Sequence, residues 1–159
     1  MAAMKYFVLF ITLLVSTAGF AGGELAFERK LEAAEKGDAE AQYNVGYRYE
    51  KGRGVDSDDE LAVEWYLKAA EQGLDKAQYK LGRCYLQGKG VDRNFADGEA
   101  WLEKAAEQGY PPAQYQLGKL YASKRKGDYR QALSWLQKAQ EGGYEPAISE
   151  IRKVKRKLN

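Results

Sequence analysis

The chain repeats itself. Leu74–Gly109, LDKAQYKLGRCYLQGKGVDRNFADGEAWLEKAAEQG, aligns without a gap on Asp38–Gly73, DAEAQYNVGYRYEKGRGVDSDDELAVEWYLKAAEQG. It aligns with a two-residue deletion on Tyr110–Gly143, YPPAQYQLGKLYASKRKGDYRQALSWLQKAQEGG. Identical AQY triplets open at Ala41, Ala77 and Ala113, 36 residues apart. A fixed period of this size specifies a stacked array, in which each unit buries its apolar face against its neighbours.

Each unit reads as two helices. In the first, Ala41, Val45 and Tyr49 share a face with Gly46, a pattern repeated by Ala77, Leu81, Tyr85 and Gly82, and by Ala113, Leu117, Tyr121 and Gly118. Glycine inside a helix costs about 1 kcal/mol against alanine, so its recurrence at one place predicts close approach of a neighbouring helix. Gly52 and Gly88 are placed to end these helices. Asp58, Asn94 and Asp128 stand where a side chain can cap the second helix. In that helix Ala62, Trp65, Tyr66, Ala69 and Ala70 form an apolar stripe. The tyrosines are read mostly as core.

The flanks resemble half-units. Glu24–Lys36 aligns with the second half of a repeat, but Arg29 stands where the units place Trp65 and Trp101. A charge is suited to a helix with no outer neighbour. Glu145–Leu158 begins like a fourth unit, with Arg152 at the close-packing glycine position. The expected fold is therefore all-α, an α/α superhelix (solenoid) of helix-turn-helix repeats with N- and C-terminal capping helices. Its divisions are a capping helix over 22–37, repeats over 38–73, 74–109 and 110–143, and a capping helix with a basic tail over 144–159.

Residues 1–21 read as a signal peptide. Lys5 precedes the short apolar run Phe7–Val15, and Gly19 and Ala21 supply small residues for cleavage after Ala21. Export places the chain in the periplasm, or secretes it, without stable membrane insertion after cleavage. The lone cysteine, Cys84, cannot form an internal disulfide. It is either a half-buried structural thiol or an intermolecular disulfide partner.

AQYNVGYRYEKGRGV…AVEWYLKAAEQG and AQYKLGRCYLQGKGV…GEAWLEKAAEQG resemble the Sel-1-like repeat, a relative of the tetratricopeptide repeat. The third unit departs from the pattern, with ASKRKGD for the GxGV loop and AQEGG for AAEQG. The resemblance implies a non-catalytic scaffold for protein–protein contacts. It suggests two roles for an exported bacterial member: an envelope adaptor, or an immunity protein neutralising a toxin or secretion-system effector acting in the periplasm.

The residues carry no sign of catalysis. The chain has no histidine, which rules out Ser–His and Cys–His arrangements and histidine metal sites. No phosphate-cradling glycine motif is present, and no cofactor is expected. The acidic run Asp56, Asp58, Asp59 and Glu60 lacks the ligand pattern of a calcium loop and reads as a helix start. Five basic residues, Arg152, Lys153, Lys155, Arg156 and Lys157, crowd the C-terminus, leaving the rest of the mature chain with an excess of acid. That balance argues against nucleic acid. The tail is favourable at a helix C-terminus, or could meet anionic lipid or a polyanion.

Residues that vary between units on the first helices are the candidate contact points. Asn44, Tyr47, Arg48 and Lys51 share a face, and their counterparts include Lys80, Arg83, Cys84 and Gln87, then Gln116, Lys119 and Leu120. In superhelices of the resembled class the first helices line the concave side. The positions would then form a basic, amide-rich strip for an acidic protein partner, or merely a solvated face.

Overall fold

The computed structural model describes residues 21–123 and 128–158. The expected signal peptide lies, Ala21 apart, outside the described residues, as do 124–127 of the third unit's loop. The described chain is all helical: α1 (Ala21–Glu35), α2 (Ala39–Lys51), α3 (Asp59–Glu71), α4 (Asp75–Gln87), α5 (Phe95–Glu107), α6 (Pro111–Ser123), α7 (Tyr129–Glu141) and α8 (Pro146–Leu158). Each helix packs on its sequence neighbours, and α6 also touches α8. The result is a solenoid of three helical hairpins, α2–α3, α4–α5 and α6–α7, between two end helices.

Local chemistry sets the boundaries. Asp58 accepts from the amide of Leu61, Asn94 from those of Ala96 and Asp97, and Asp128 from that of Gln131. These contacts pair amides that have no partner inside the helix. At the other end Gly52 and Gly88 take left-handed conformations, with φ of 61° and 69°. Their amides return to the carbonyls of Arg48 and Cys84. The acidic run thus has structural employment, with Asp58 as a cap and Asp59 paired to Lys89 at 2.9 Å.

Each hairpin closes on one contact. A Cβ on Gly46 would stand 2.9 Å from Cδ1 of Tyr66, on Gly82 2.9 Å from Cγ of Leu102, and on Gly118 2.6 Å from Cγ of Leu136. Tyr66, Leu102 and Leu136 occupy the same place in their units and are fully buried. So are Val45, Leu81 and Leu117, one residue before each glycine. Gly98 follows the same logic: its missing Cβ makes room for Leu86, which stands where unit 1 has Glu50.

A glutamine ladder joins the units. Gln42, Gln78 and Gln114 are buried, and each Nε2 donates to a carbonyl of the preceding helix: Ala34 at 3.0 Å, Ala70 at 3.1 Å and Ala106 at 3.1 Å. In the first two units a second glutamine completes the site, Gln72 donating to Oε1 of Gln42 and Gln108 to Oε1 of Gln78, both at 2.7 Å. Unit 3 has Gly142 at that position, and a Cβ there would stand 2.7 Å from Cγ of Pro111. Oε1 of Gln114 is left buried without a hydrogen-bond partner among the described residues. The change from AAEQG to AQEGG therefore removes the donor to a buried oxygen.

Two stability measurements check this account. Gly82→Ala should destabilise the fold by about 1–2 kcal/mol in urea titration, because overpacking against Leu102 and the Gly98 carbonyl exceeds the helix-propensity gain. A gain in stability would show that the hairpin has room to spare. Gln78→Leu should cost about 1–2 kcal/mol, and Gln114→Leu about half of that or less, since one of its polar atoms is already unsatisfied.

Candidate interaction surface

The first helices α2, α4 and α6 form a layer of their own. Side chains join α2 to α4: Lys76 pairs with Glu40, and Lys80 reaches Oε2 of Glu50 at 2.7 Å. Residues at equivalent positions therefore fall into rows that cross the layer, and the rows have different surroundings.

The row Tyr47, Arg83, Lys119 borders the row of AQY tyrosines, Tyr43, Tyr79 and Tyr115. On α2 the pair is a ring stack, Tyr43 on Tyr47, with centroids 6.4 Å apart. On α4 and α6 the same spacing puts a cation over a ring, Arg83 over Tyr79 at 5.7 Å and Lys119 over Tyr115 at 5.4 Å. Further rings extend the strip, with Tyr110 against Tyr79 at 5.4 Å and Tyr144 against Tyr115 at 5.1 Å. Lys76 covers Tyr43 at 4.7 Å. These tyrosines are half-buried rather than core. Burial, followed by nearby Tyr110 and Glu50, pushes the Tyr43 phenol up to about 12. The sequence reading missed them as surface residues. The available signal was the cation or aromatic residue four positions after each.

Lys80 and Lys51 are committed to Glu50. Its carboxylate accepts from Tyr66 Oη at 2.6 Å and from Lys80 at 2.7 Å, with Lys51 at 2.8 Å. Burial alone would raise the Glu50 pKa, but the bonds from Lys51, Lys80 and Tyr66 outweigh it and hold it down at about 2. The network is specific to the first junction, because unit 2 has Leu86 and Leu102 where unit 1 has Glu50 and Tyr66.

The remaining sequence candidates scatter. Arg48 belongs to the row of Cys84 and Leu120 on the seam between units, and stacks over Phe27 of α1 at 5.6 Å. Asn44 donates to the Glu40 carbonyl of its own helix at 2.8 Å. Gln116 is half-buried beside Tyr115, and Gln87 is exposed at the end of α4. Arg83 and Lys119 make no ion pair among the described residues. Cys84 is 8% exposed, and burial, then the charge of Glu50, pushes its thiol up to about 11. A packed, protonated thiol suits the structural reading.

The opposite helices carry a different motif. Lys68, Lys104 and Lys138 lie over Trp65, Trp101 and Trp135 at 4.0, 3.8 and 4.2 Å. Among the described residues no group of three or more His, Cys, Asp or Glu side chains is placed to hold a metal. No helix there is long and apolar enough to cross a membrane.

The Sel1 repeat family matches the chain over residues 39–74, 75–110 and 111–144, and the chain belongs to that family. A Sel1 repeat protein from Oxalobacter formigenes is 37% identical, with a TM-score of 0.70 over 72% of this chain and 48% of that one. The antigen c5321 of uropathogenic Escherichia coli, which displays an SLR fold, is 29% identical, with a TM-score of 0.77 over 81% of this chain and 28% of its own. The chain thus spans less than half the length of either. Immunity protein Pa5087 from Pseudomonas aeruginosa aligns at 23% identity and a TM-score of 0.43, too loose a likeness to bear on function. No curated protein matches the chain. Sel1 repeat proteins mediate protein–protein interaction, generally as non-enzymatic scaffolds.

The Glu50 network gives a pH test. A carboxylate held at about 2 contributes stability that is fully present above its ordinary value of 4.5 and is lost as pH falls from there toward 2. Glu50→Gln should therefore be less stable than the native chain at neutral pH, with the gap closing below pH 4.5. Denaturation midpoints across that range measure it, and a gap independent of pH would exclude the carboxylate as its source.

Proposed function

We propose that the chain is a non-catalytic adaptor that binds an acidic protein partner on the layer of first helices, the concave side of the superhelix, in the bacterial periplasm. The single observation that carries this reading is the state of the cations. Lys76 and Lys80 are neutralised by Glu40 and Glu50, whereas Arg83 and Lys119 stand at the same position of successive units, over tyrosine rings, without a carboxylate. Charges held in place by rings, and left without an internal partner, are available to an opposite charge on another molecule. Tyrosine and arginine are also among the residues that contribute most at protein interfaces.

The test is cross-linked capture from the native envelope fraction, comparing the native chain with an Arg83→Glu, Lys119→Glu double variant. Neither residue holds an ion pair among the described residues, so both baits should give the same helical circular dichroism. The native bait should capture a protein that the variant loses. Equal capture by the two would overturn the assignment of this face. If the captured protein is a toxin rather than a resident envelope component, the role is immunity instead of assembly.

A further inference from the structure

We infer that the C-terminal helix α8 is a peripheral docking face for an anionic phospholipid surface, which it meets with Arg152, Lys155, Arg156 and Lys157. This face is independent of the partner surface proposed above and uses neither Arg83 nor Lys119. One side of α8 is buried through Ala147, Ile151 and Val154, against α7 and α6. On the rest of the helix, Arg152 stands at the position of Gly46, Gly82 and Gly118, and Arg156 at that of Glu50, Leu86 and Ala122. In the complete units these positions meet the second helix of the same hairpin: Gly82 lies against Leu102, and Leu86 against Gly98. On α8 both carry exposed guanidinium groups. A helix seated there would bury two charges, one of them at a place where the units have no room for a Cβ. The face is not built to take another hairpin.

Its charge is unanswered within the molecule. Lys153 pairs with Glu150 at 2.7 Å, whereas Arg152, Lys155, Arg156 and Lys157 are exposed and hold no ion pair among the described residues. The helix dipole favours cations in the last turn, which accounts for Lys155, Arg156 and Lys157 but not for Arg152, a turn earlier. Two features select the class of surface. Residues Pro146–Leu158 include no aromatic and no amide side chain, so the cations lack the aromatic anchors of a protein interface. Ile148 and Leu158, 39% and 41% exposed, are two of the three large hydrophobic side chains exposed among the described residues. Apolar groups among lysines and arginines fit the boundary between lipid headgroups and acyl chains, and gain nothing from the phosphates of a nucleic acid. The long stems of Lys and Arg let charges from around the helix reach one plane. No described helix is long and apolar enough to cross a bilayer, so the contact is one of surfaces. The excess of acid in the rest of the mature chain repels the same surface and confines contact to this end.

Co-sedimentation of the full chain with vesicles tests this, one set of phosphatidylcholine alone and one with about a third phosphatidylglycerol. The apolar run Phe7–Val15 is common to every variant, and the neutral vesicles measure its contribution. The native chain should prefer the anionic vesicles, and added salt should weaken that preference. Each Lys or Arg near an anionic surface strengthens partitioning about fivefold, so an Arg152→Gln, Arg156→Gln variant should bind those vesicles about 25-fold less tightly. A Lys68→Gln, Lys104→Gln variant removes the same charge from the second helices and should stay within about twofold of the native chain, since those charges lie beyond the screening length from the surface. Helical circular dichroism should be the same for all three chains, because the four side chains are exposed. Equal binding to the two vesicle sets, or an equal loss in the two variants, would overturn the inference. Fluorescein-labelled DNA and polyglutamate are tried in parallel. Binding of either that depends on Arg152 and Arg156, with no preference for the anionic vesicles, would make α8 a site for an anionic polymer and would equally overturn it.

Discussion

Everything in this solenoid depends on how closely the two helices of a hairpin approach. Gly46, Gly82 and Gly118 let the backbone of each first helix settle against one fully buried side chain of the second, Tyr66, Leu102 or Leu136. Interiors are packed densely enough that a single added carbon is felt, so these three places fix the hairpin angle in every unit. Once the hairpins share one geometry, their first helices stand in a regular layer. Only then do Tyr43, Tyr79 and Tyr115 fall into a row with the residue four positions on beside each.

The repeat also exposes where the units were individually altered. Tyr66 is a tyrosine at a place where units 2 and 3 have leucine, and its hydroxyl needs a buried acceptor. Glu50 supplies it, and Lys80 and Lys51 neutralise the acceptor in turn. Unit 2 exchanges Glu50 for Leu86 and answers with Gly98 where unit 1 has Ala62. Neither set of changes stands alone. Each is a local solution for one volume or one polar atom, and a buried polar atom without its partner is costly.

Much of the fold was legible because it depends on spacing along one chain. The period, the capping residues Asp58, Asn94 and Asp128, and the left-handed glycines Gly52 and Gly88 all act within a few residues of themselves. The surface was less legible because it depends on neighbours one unit away. Helical phase puts Arg48 with Tyr47, but only the packed array shows that the Arg48 row lies on the seam and that Phe27 covers it. Lys80 looks like a free cation until Glu50, thirty residues earlier, is brought against it. The half-burial of the AQY tyrosines likewise follows from the spacing of adjacent units rather than from any one helix.

The substitution of glycine for glutamine at position 142 bears on how such an array comes apart. A linear stack shares its stability out among local units and the joints between them, so it opens from its weakest boundary. Two hairpins clasp their own buried glutamine from both sides, and the last holds it from one. That asymmetry gives the molecule a direction, with a tightly latched leading end and a trailing end from which fraying would begin.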